Sequence, residues 1–250
     1  MINVSDVSYR IGKTTILDQV DLNLPKGGVT ALIGPNGAGK STLLSLIARI
    51  LPLQDGTIEV DDLMVGACAN DVLARKLSIL PQASDAAPLL TVRELVSFGR
   101  YPYHNGRPSA KDAALVEQAI ETFGLTGLAS RRLDSLSGGQ RQRAQVAMIY
   151  AQDTDYILLD EPLNNLDIAA SRSLMKTLQE LAQTHGRTIV IVLHDINYAA
   201  AYADRIIAMK QGTVVAVGHP NEVITAALLK DVFETDPKLH TLNGKVIIEV

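Results

Sequence analysis

Apolar and polar residues alternate over much of residues 2–34, a period of two that predicts β-strands. Apolar positions at helical spacing then predict a helix over 40–50, which Pro52 ends. From 91 to 152 the spacing is helical, and after Asp155 short apolar runs alternate with helical stretches. The chain therefore predicts strands first, a helical block in the middle, and strand–helix pairs at the end.

Strand–helix alternation around such a block is typical of an α/β fold. We predict a mainly parallel sheet with helices on both faces, an N-terminal antiparallel β region and an inserted α-helical subdomain. The later predicted elements are strands over 56–60, 77–80, 157–160, 188–193, 206–209 and 213–217 and helices over 110–123, 168–184 and 196–202. We expect one domain, 1–250, with a core of 1–83 and 155–250 and a helical subdomain of 84–154.

The composition limits the classes of protein that fit the chain. Its 250 residues and 47% hydrophobic content suffice for one sizeable core. The net charge of −4 argues against a nucleic-acid-binding surface, so we expect no nucleic-acid partner. The N-terminus does not resemble a secretory signal, and apolar runs such as 189–193 are far shorter than a bilayer span. We expect a cytoplasmic chain that reaches a membrane only through a partner.

A glycine-rich segment, GPNGAGKS from Gly34 to Ser41, precedes the first predicted helix. It matches the phosphate-binding pattern of P-loop NTPases at every required position. The glycines let backbone amides approach phosphate oxygens closely, and the helix adds its positive end. We expect Lys40 to bridge the β- and γ-phosphates of a nucleotide and Ser41 to hold Mg²⁺. The predicted nucleotide contacts in this segment are Gly34, Pro35, Asn36, Gly37, Ala38, Gly39, Lys40, Ser41 and Thr42.

Two acids end the apolar run that begins at Tyr156. Alone, adjacent acids after a strand also fit the start of a solvated loop. With a phosphate loop upstream they fit nucleotide chemistry, which needs carboxylates at this strand end. We expect Asp160 to organise Mg²⁺ through water and Glu161 to act as the general base that polarises the attacking water.

Residues 136–140 read LSGGQ and open a helix that we expect to reach Ala151. A serine followed by glycines at a helix start suits phosphate binding, and it is also an ordinary N-cap. The order of phosphate loop, LSGGQ and acidic strand resembles the ATP-binding-cassette (ABC) family, the motors of membrane transporters. The resemblance covers nearly the whole chain.

The resemblance implies a homodimer of cassettes arranged head to tail, with two ATP molecules at the interface. In such a dimer the LSGGQ segment of one subunit contacts the γ-phosphate held by the other. The expected trans contacts are Ser137, Gly138, Gly139 and Gln140.

Four further positions match motifs of the family. Gln82 corresponds to the glutamine that senses Mg²⁺ and the attacking water, and His194 to the histidine that contacts the γ-phosphate. Tyr9 corresponds to the aromatic residue that stacks on adenine. Asp167 is retained in the loop that couples the two sites, but the asparagines at 164–165 stand where the family often has Ser and Ala.

With one cassette, no coiled-coil insertion and no fused membrane segment, the chain is similar to stand-alone importer motors. Segment 90–103 resembles motors of ferric-siderophore, haem and vitamin B12 importers. Segment 161–167 resembles a ferric-siderophore subgroup that includes importers of catecholate type. The resemblance implies a polytopic membrane permease as partner and, indirectly, a substrate-binding protein. A haem or vitamin B12 importer, a soluble ABC ATPase of iron–sulfur cluster assembly and a non-hydrolysing ATP sensor remain alternatives.

Three aromatic residues follow the glutamine motif within segment 90–103. In the family this region docks the coupling helices of the permease. We therefore expect Phe98, Tyr101 and Tyr103 to dock to a permease, and packing inside the helical subdomain is the alternative.

Overall fold

The computed structural model describes residues 1–82, 89–164 and 166–249. The first part contains β1 (Ile2–Ile11), β2 (Thr14–Leu24), β3 (Gly28–Ile33), α1 (Lys40–Ile47), β4 (Asp55–Val60), β5 (Leu63–Met64), α2 (Asn70–Ala74) and β6 (Leu77–Leu80). The middle part contains α3 (Val92–Phe98), α4 (Tyr101–His104), α5 (Ala110–Thr122) and α6 (Gly138–Ala151). The last part contains β7 (Tyr156–Asp160), α7 (Ile168–His185), β8 (Thr188–Val192), α8 (Ile196–Tyr202), β9 (Arg205–Lys210), β10 (Thr213–Gly218), α9 (Pro220–Val223), α10 (Ala226–Phe233), β11 (Lys238–Leu242) and β12 (Lys245–Glu249). No helix within these ranges is long and apolar enough to cross a membrane.

Six strands form the main sheet, in the order β10-β9-β3-β8-β7-β6. The strands from β9 to β6 are mutually parallel, and β10 pairs antiparallel with β9 at one edge. A second, antiparallel sheet has the order β2-β1-β4-β5. The structure thus confirms the predicted fold class, with helices α3 to α6 inserted between β6 and β7.

The parallel strands separate two apolar cores. On β7, Ile157 and Leu159 belong to the core shared with α3, α5, α6 and α7, while Leu158 belongs to the core shared with α1 and the antiparallel sheet. Every residue of β7 and β8 is buried, which explains why these strands appear in the sequence as continuous apolar runs. Helices therefore cover both faces of the sheet, as predicted.

Some boundaries differ from the expectation. The first helix ends at Ile47 rather than near residue 50, because Arg49 has a left-handed φ of 59° that does not continue a helix. The sequence pattern also missed α10 and the hairpin β11–β12, in whose strands Ile248 is the only buried residue among those described. The predicted border at 84 lies outside the described residues, so the division into core and helical subdomain stays a prediction.

A buried ion pair joins the inserted helices. Arg100 and Asp112 are 3% and 6% exposed, and Arg100 Nε donates to Asp112 Oδ1 at 3.0 Å. Arg100 Nη1 also donates to the backbone oxygens of Ala151 and Gln152 at the end of α6, at 3.0 and 3.1 Å. Hydrogen bonds from Ser109, with the Arg100 charge, outweigh burial and lower the pKa of Asp112 to about 2. One guanidinium therefore connects the start of α4 to α5 and to the end of α6.

Asp112→Asn should lower the free energy of unfolding by about 3 kcal/mol at neutral pH, because it leaves the Arg100 charge buried without a partner. Folding lowers the pKa of Asp112. The stabilisation that the ionised Asp112 gives the wild-type protein is therefore present above about pH 4 and is lost as the pH falls toward about 2. Urea titrations of both proteins at several pH values measure the difference. The matched control is Asp134→Asn, since Asp134 pairs with Arg132 at the surface and should contribute under about 1 kcal/mol. Equal losses in the two variants would show the prediction to be wrong.

Candidate active site

The predicted nucleotide residues follow three neighbouring parallel strands, β3, β8 and β7. Gly34 follows β3, His194 lies just after β8, and Asp160 is the last residue of β7. In open α/β sheets, ligands bind at the edge formed by the carboxyl ends of the strands. The sheet therefore brings the phosphate loop, the two acids and the histidine to one place.

The phosphate loop is a tight turn between β3 and α1. Gly34, Gly37 and Gly39 have φ values of 150°, 78° and 97°, which L-residues with a side chain rarely adopt. A Cβ at Gly34 would also overlap the backbone oxygen of Met209, and one at Gly39 would overlap the Leu17 side chain. The first turn of α1 has no side-chain cap, so its amide groups are available to an anion.

Lys40 lies across this loop rather than extending into solvent. It is 5% exposed, and its Nζ donates to the backbone oxygens of Gly34 and Pro35 at 2.8 and 2.9 Å. Burial lowers the pKa of Lys40, and the negative charges of Glu161 and Asp160 offset only part of that effect. Phosphate oxygens placed in the loop would replace the two carbonyl oxygens as partners of the ammonium group.

Ser41 and Asp160 form an oxygen-rich pair beside the loop. Ser41 Oγ donates to Asp160 Oδ1 at 3.0 Å. Burial raises the pKa of Asp160, and the hydrogen bond from Ser41 opposes the rise. Mg²⁺ is usually bound through one or two protein oxygens together with substrate phosphates and water. The hydroxyl and the carboxylate thus fit a Mg²⁺ ion that arrives with a nucleotide.

Glu161 is the most constrained residue of the site. It is 7% exposed and has a left-handed φ of 53°. Its Oε2 accepts from Gln82 Nε2 at 2.6 Å and from Asn164 Nδ2 at 2.7 Å, and its Oε1 lies 2.6 Å from His194 Nε2. Burial raises the pKa of Glu161, but the bonds from His194, Asn164 and Gln82 together bring it below its ordinary value. The carboxylate is therefore ionised at neutral pH and able to accept a proton.

These groups border a pocket of about 450 Å³. Its lining consists of Ile11, Ile16, residues 36–42, Gln82, Glu161 and His194. Phosphate-binding amides, a lysine, a hydroxyl and an ionised carboxylate are the groups that phosphoryl transfer to water requires. Seven of the nine predicted contact residues of the phosphate loop, 36–42, lie in this lining together with Gln82, Glu161 and His194. The bonds of Lys40 and Ser41 connect the lining to Gly34, Pro35 and Asp160.

The structure corrects the prediction for Tyr9. Its side chain is 8% exposed and packs in the core of the antiparallel sheet, so its ring is not available to stack on adenine. Ile11, which is 61% exposed, and Ile16 border the pocket instead. β2 has an extra residue, Ile16, opposite β1 between Tyr9 and Arg10, and Ile11 pairs with Thr14 at the exposed end of the hairpin, beyond the core in which Tyr9 packs.

The LSGGQ residues lie outside the pocket of their own chain. Ser137 Oγ accepts from the Gln140 amide at 3.3 Å, and Gln140 Oε1 accepts from the Ser137 amide at 3.1 Å. This capping box begins α6, so the ordinary N-cap interpretation of Ser137 is correct for the single chain. Ser137 and Gly138 are exposed, and the contact of this segment with a second copy stays a prediction.

The turn after β7 contains a site residue that the sequence did not reveal. The asparagine at 164 was noted only as a departure from the family, yet Asn164 donates directly to Glu161. An amide three residues after the predicted base was the one available signal. Asp167 Oδ1 accepts from the Ala170 amide at 2.7 Å and so caps α7, and Asn165 lies outside the described residues.

Comparison with known proteins places this architecture in a family. A model of the family described as ABC transporter matches residues 17–164. The chain belongs to the ABC transporter family. It is 45% identical over 247 residues to the petrobactin import ATP-binding protein YclP of Bacillus subtilis (strain 168), covering 99% of this chain and 98% of that protein. It is 41% identical over 224 residues to the ferric enterobactin transport ATP-binding protein FepC of Escherichia coli (strain K12). That match covers 89% of this chain and 83% of FepC.

Solved structures of ABC proteins have the same fold. An inward-facing ABC transporter described as metal-chelate type matches with a TM-score of 0.84 and 28% identity, over 99% of this chain and 95% of that one. The dimeric cassette MJ0796, in a post-hydrolysis state with ADP and Pi, matches with a TM-score of 0.79 and 29% identity. That match covers 88% of this chain and 99% of the MJ0796 chain. As an ABC cassette, the chain binds ATP and is an ATPase.

Ile11→Tyr should lower the Kd for ATP about tenfold, because an aromatic ring at the pocket would stack on the base where an isoleucine now lies. Isothermal titration calorimetry with ATP measures the change. Tyr9→Leu is the control, and it should lower thermal stability while leaving the Kd for ATP unchanged, since Tyr9 is a core residue. A large loss of affinity in Tyr9→Leu, with no effect of Ile11→Tyr, would restore Tyr9 as the stacking residue.

Proposed function

We propose that this chain is the ATP-hydrolysing motor of an ABC importer for iron–siderophore complexes, working with Mg²⁺. The observation that carries the catalytic part is the position of the Glu161 carboxylate, which is held by Gln82, Asn164 and His194 and borders the same pocket as Lys40 and Ser41. The class of cargo is supported by relatives along nearly the whole chain, whose names specify import of petrobactin and transport of ferric enterobactin.

The described residues divide the reaction among them. The loop amides and Lys40 would hold the phosphates of ATP, and Ser41 and Asp160 would hold Mg²⁺. Bound Mg²⁺ supplies positive charge against the phosphate oxygens. Glu161 accepts a proton from water as that water attacks the γ-phosphorus and the bond to the ADP oxygen breaks. Gln82 and His194, released from Glu161, orient the water and contact the γ-phosphate.

The active unit in this proposal is a homodimer. The four residues of the LSGGQ segment, Ser137 to Gln140, begin α6 away from the pocket of their own chain, so they are free to approach a nucleotide on a second copy. A helix N-terminus of this kind attracts phosphate oxygens. The dimeric structure of the similar cassette MJ0796 supports the arrangement.

A groove on the inserted helices provides a place for a membrane permease. It has a volume of about 590 Å³, lies among α3, α4 and α5, and is bordered by Phe98 and Tyr101, each 54% exposed. Tyr103 packs instead against Arg100, whose guanidinium lies 3.9 Å from the ring centre. We propose that the groove receives a cytoplasmic segment of a polytopic permease, which holds the motor at the inner face of the membrane. A substrate-binding protein would act on the outer side of that permease.

Glu161→Gln should retain ATP binding, reduce steady-state ATP hydrolysis by at least about a hundredfold, and accumulate an ATP-bound dimer, because the amide cannot accept the proton. Phosphate release and size-exclusion chromatography with ATP measure the two effects. Lys40→Ala should instead lose ATP binding. Wild-type turnover in Glu161→Gln would show that another group is the base.

A tagged chain, expressed from its native genetic setting under iron limitation, should co-purify with a polytopic permease from gently solubilised membranes. Phe98→Ser and Tyr101→Ser should weaken that recovery while leaving ATP hydrolysis by the isolated protein unchanged. Val215→Ser, at a similarly exposed residue on β10, is the matched control and should have no effect. Recovery of every variant from the soluble fraction alone would favour the assembly-pathway ATPase.

A further inference from the structure

The turn that follows β7 closes on the predicted base. The Asn164 amide donates to the Glu161 backbone oxygen at 3.2 Å, and Asn164 Nδ2 donates to Glu161 Oε2 at 2.7 Å. Two hydrogen bonds between the same two residues therefore make the side chain of Asn164 move with that of Glu161.

The other two partners of Glu161 differ from Asn164 in position. Gln82 and His194 line the nucleotide pocket together with Glu161, whereas Asn164 is exposed and does not line it. A bound nucleotide with its metal and water competes for the polar atoms of Gln82 and His194. The Asn164 bond lies outside that competition, because Asn164 does not line the pocket.

From this geometry we propose that Asn164 is a positioning residue, which fixes the Glu161 carboxylate during hydrolysis while Gln82 and His194 turn to the nucleotide. The inference rests on the proposed role of Glu161 as the base. The left-handed φ of 53° at Glu161 fixes its backbone but not its side-chain torsions, so the backbone alone does not orient the carboxylate. A donor from the same turn holds Oε2 and leaves Oε1 to accept the proton of the attacking water.

The amide group suits this role better than the alternatives of similar size. The donor atom of a serine at 164 is one bond closer to the backbone than Asn164 Nδ2, and it carries a single hydrogen. A serine therefore reaches the Glu161 carboxylate less well. An aspartate at 164 is isosteric but presents oxygen to oxygen, which repels an ionised Glu161. The asparagine that departs from the family pattern thus has a definite partner.

Asn164→Ser should lower kcat for ATP hydrolysis about tenfold, while KM and the Kd for ATP stay within about twofold, because a hydrogen bond to a charged group is lost only from the base. Asn164→Asp should lose more than Asn164→Ser despite its matching shape. Steady-state kinetics, calorimetry and thermal denaturation of the Mg²⁺-supplemented full chain separate these effects. Asn221→Ser is the matched control: Asn221 donates one side-chain bond to Gly244 O at 2.9 Å, on the surface, and its loss should leave kcat unchanged.

A double-mutant cycle distinguishes positioning from simple support of the fold. In the Glu161→Gln background, Asn164→Ser should cause no further loss of the residual single-turnover rate, because the carboxylate that Asn164 positions is already gone. The same loss in both backgrounds, or parallel losses of kcat and ATP affinity, would overturn the inference.

The same measurements separate the failure of this inference from failure of the proposed function. If Glu161→Gln stalls but Asn164→Ser turns over at the wild-type rate, the motor assignment stands and Asn164 has no positioning role. If Glu161→Gln turns over like the wild type, the base is elsewhere and both proposals are wrong.

Discussion

The parallel register of β3, β8 and β7 is the constraint on which the site depends. Val192 of β8 pairs with Leu32 on one side and with Asp160 on the other, so the three strands end at the same level. The phosphate loop, the histidine and the base therefore leave the sheet side by side. A shift of β7 by one residue would reverse its side chains, turning Asp160 away from Ser41 and placing a polar group in the opposite core.

That arrangement buries charge at the end of an otherwise apolar sheet. Lys40, Asp160 and Glu161 are 5%, 5% and 7% exposed, and an unpaired charge at such depth is strongly unfavourable. Each is compensated by polar partners: loop carbonyls for Lys40, Ser41 for Asp160, and Gln82, Asn164 and His194 for Glu161. A bound nucleotide can take the place of several of these hydrogen-bond partners. The exchange of protein hydrogen bonds for bonds to phosphate therefore costs the site little free energy.

Sequence reasoning is strongest where one short pattern determines the backbone conformation of a segment and where it lies in the fold. The loop from Gly34 to Ser41 needs its glycines for steric reasons, and the acids end a buried strand, so both could be placed without coordinates. The prediction for Tyr9 was wrong because the burial of each position on β1 depends on its pairing with β2, which no local pattern contains. Asn164 was missed for a related reason: its partner depends on the left-handed turn at Glu161, a conformation that the letters alone do not specify.

Contacts among the inserted helices link the groove to the start of α6. A Cβ at Gly99 would overlap the Met148 backbone oxygen, so the end of α3 touches the α6 backbone directly. Arg100 then holds the last carbonyls of α6 and the buried Asp112 of α5. With 14 residues, α6 spans about 21 Å from these contacts to the capping box at Ser137. A partner bound against α3 and α5 would therefore displace both ends of α6 together. This favours rigid-body rotation of the helices, rather than a relay of side-chain contacts, as the way in which the groove is coupled to the LSGGQ segment.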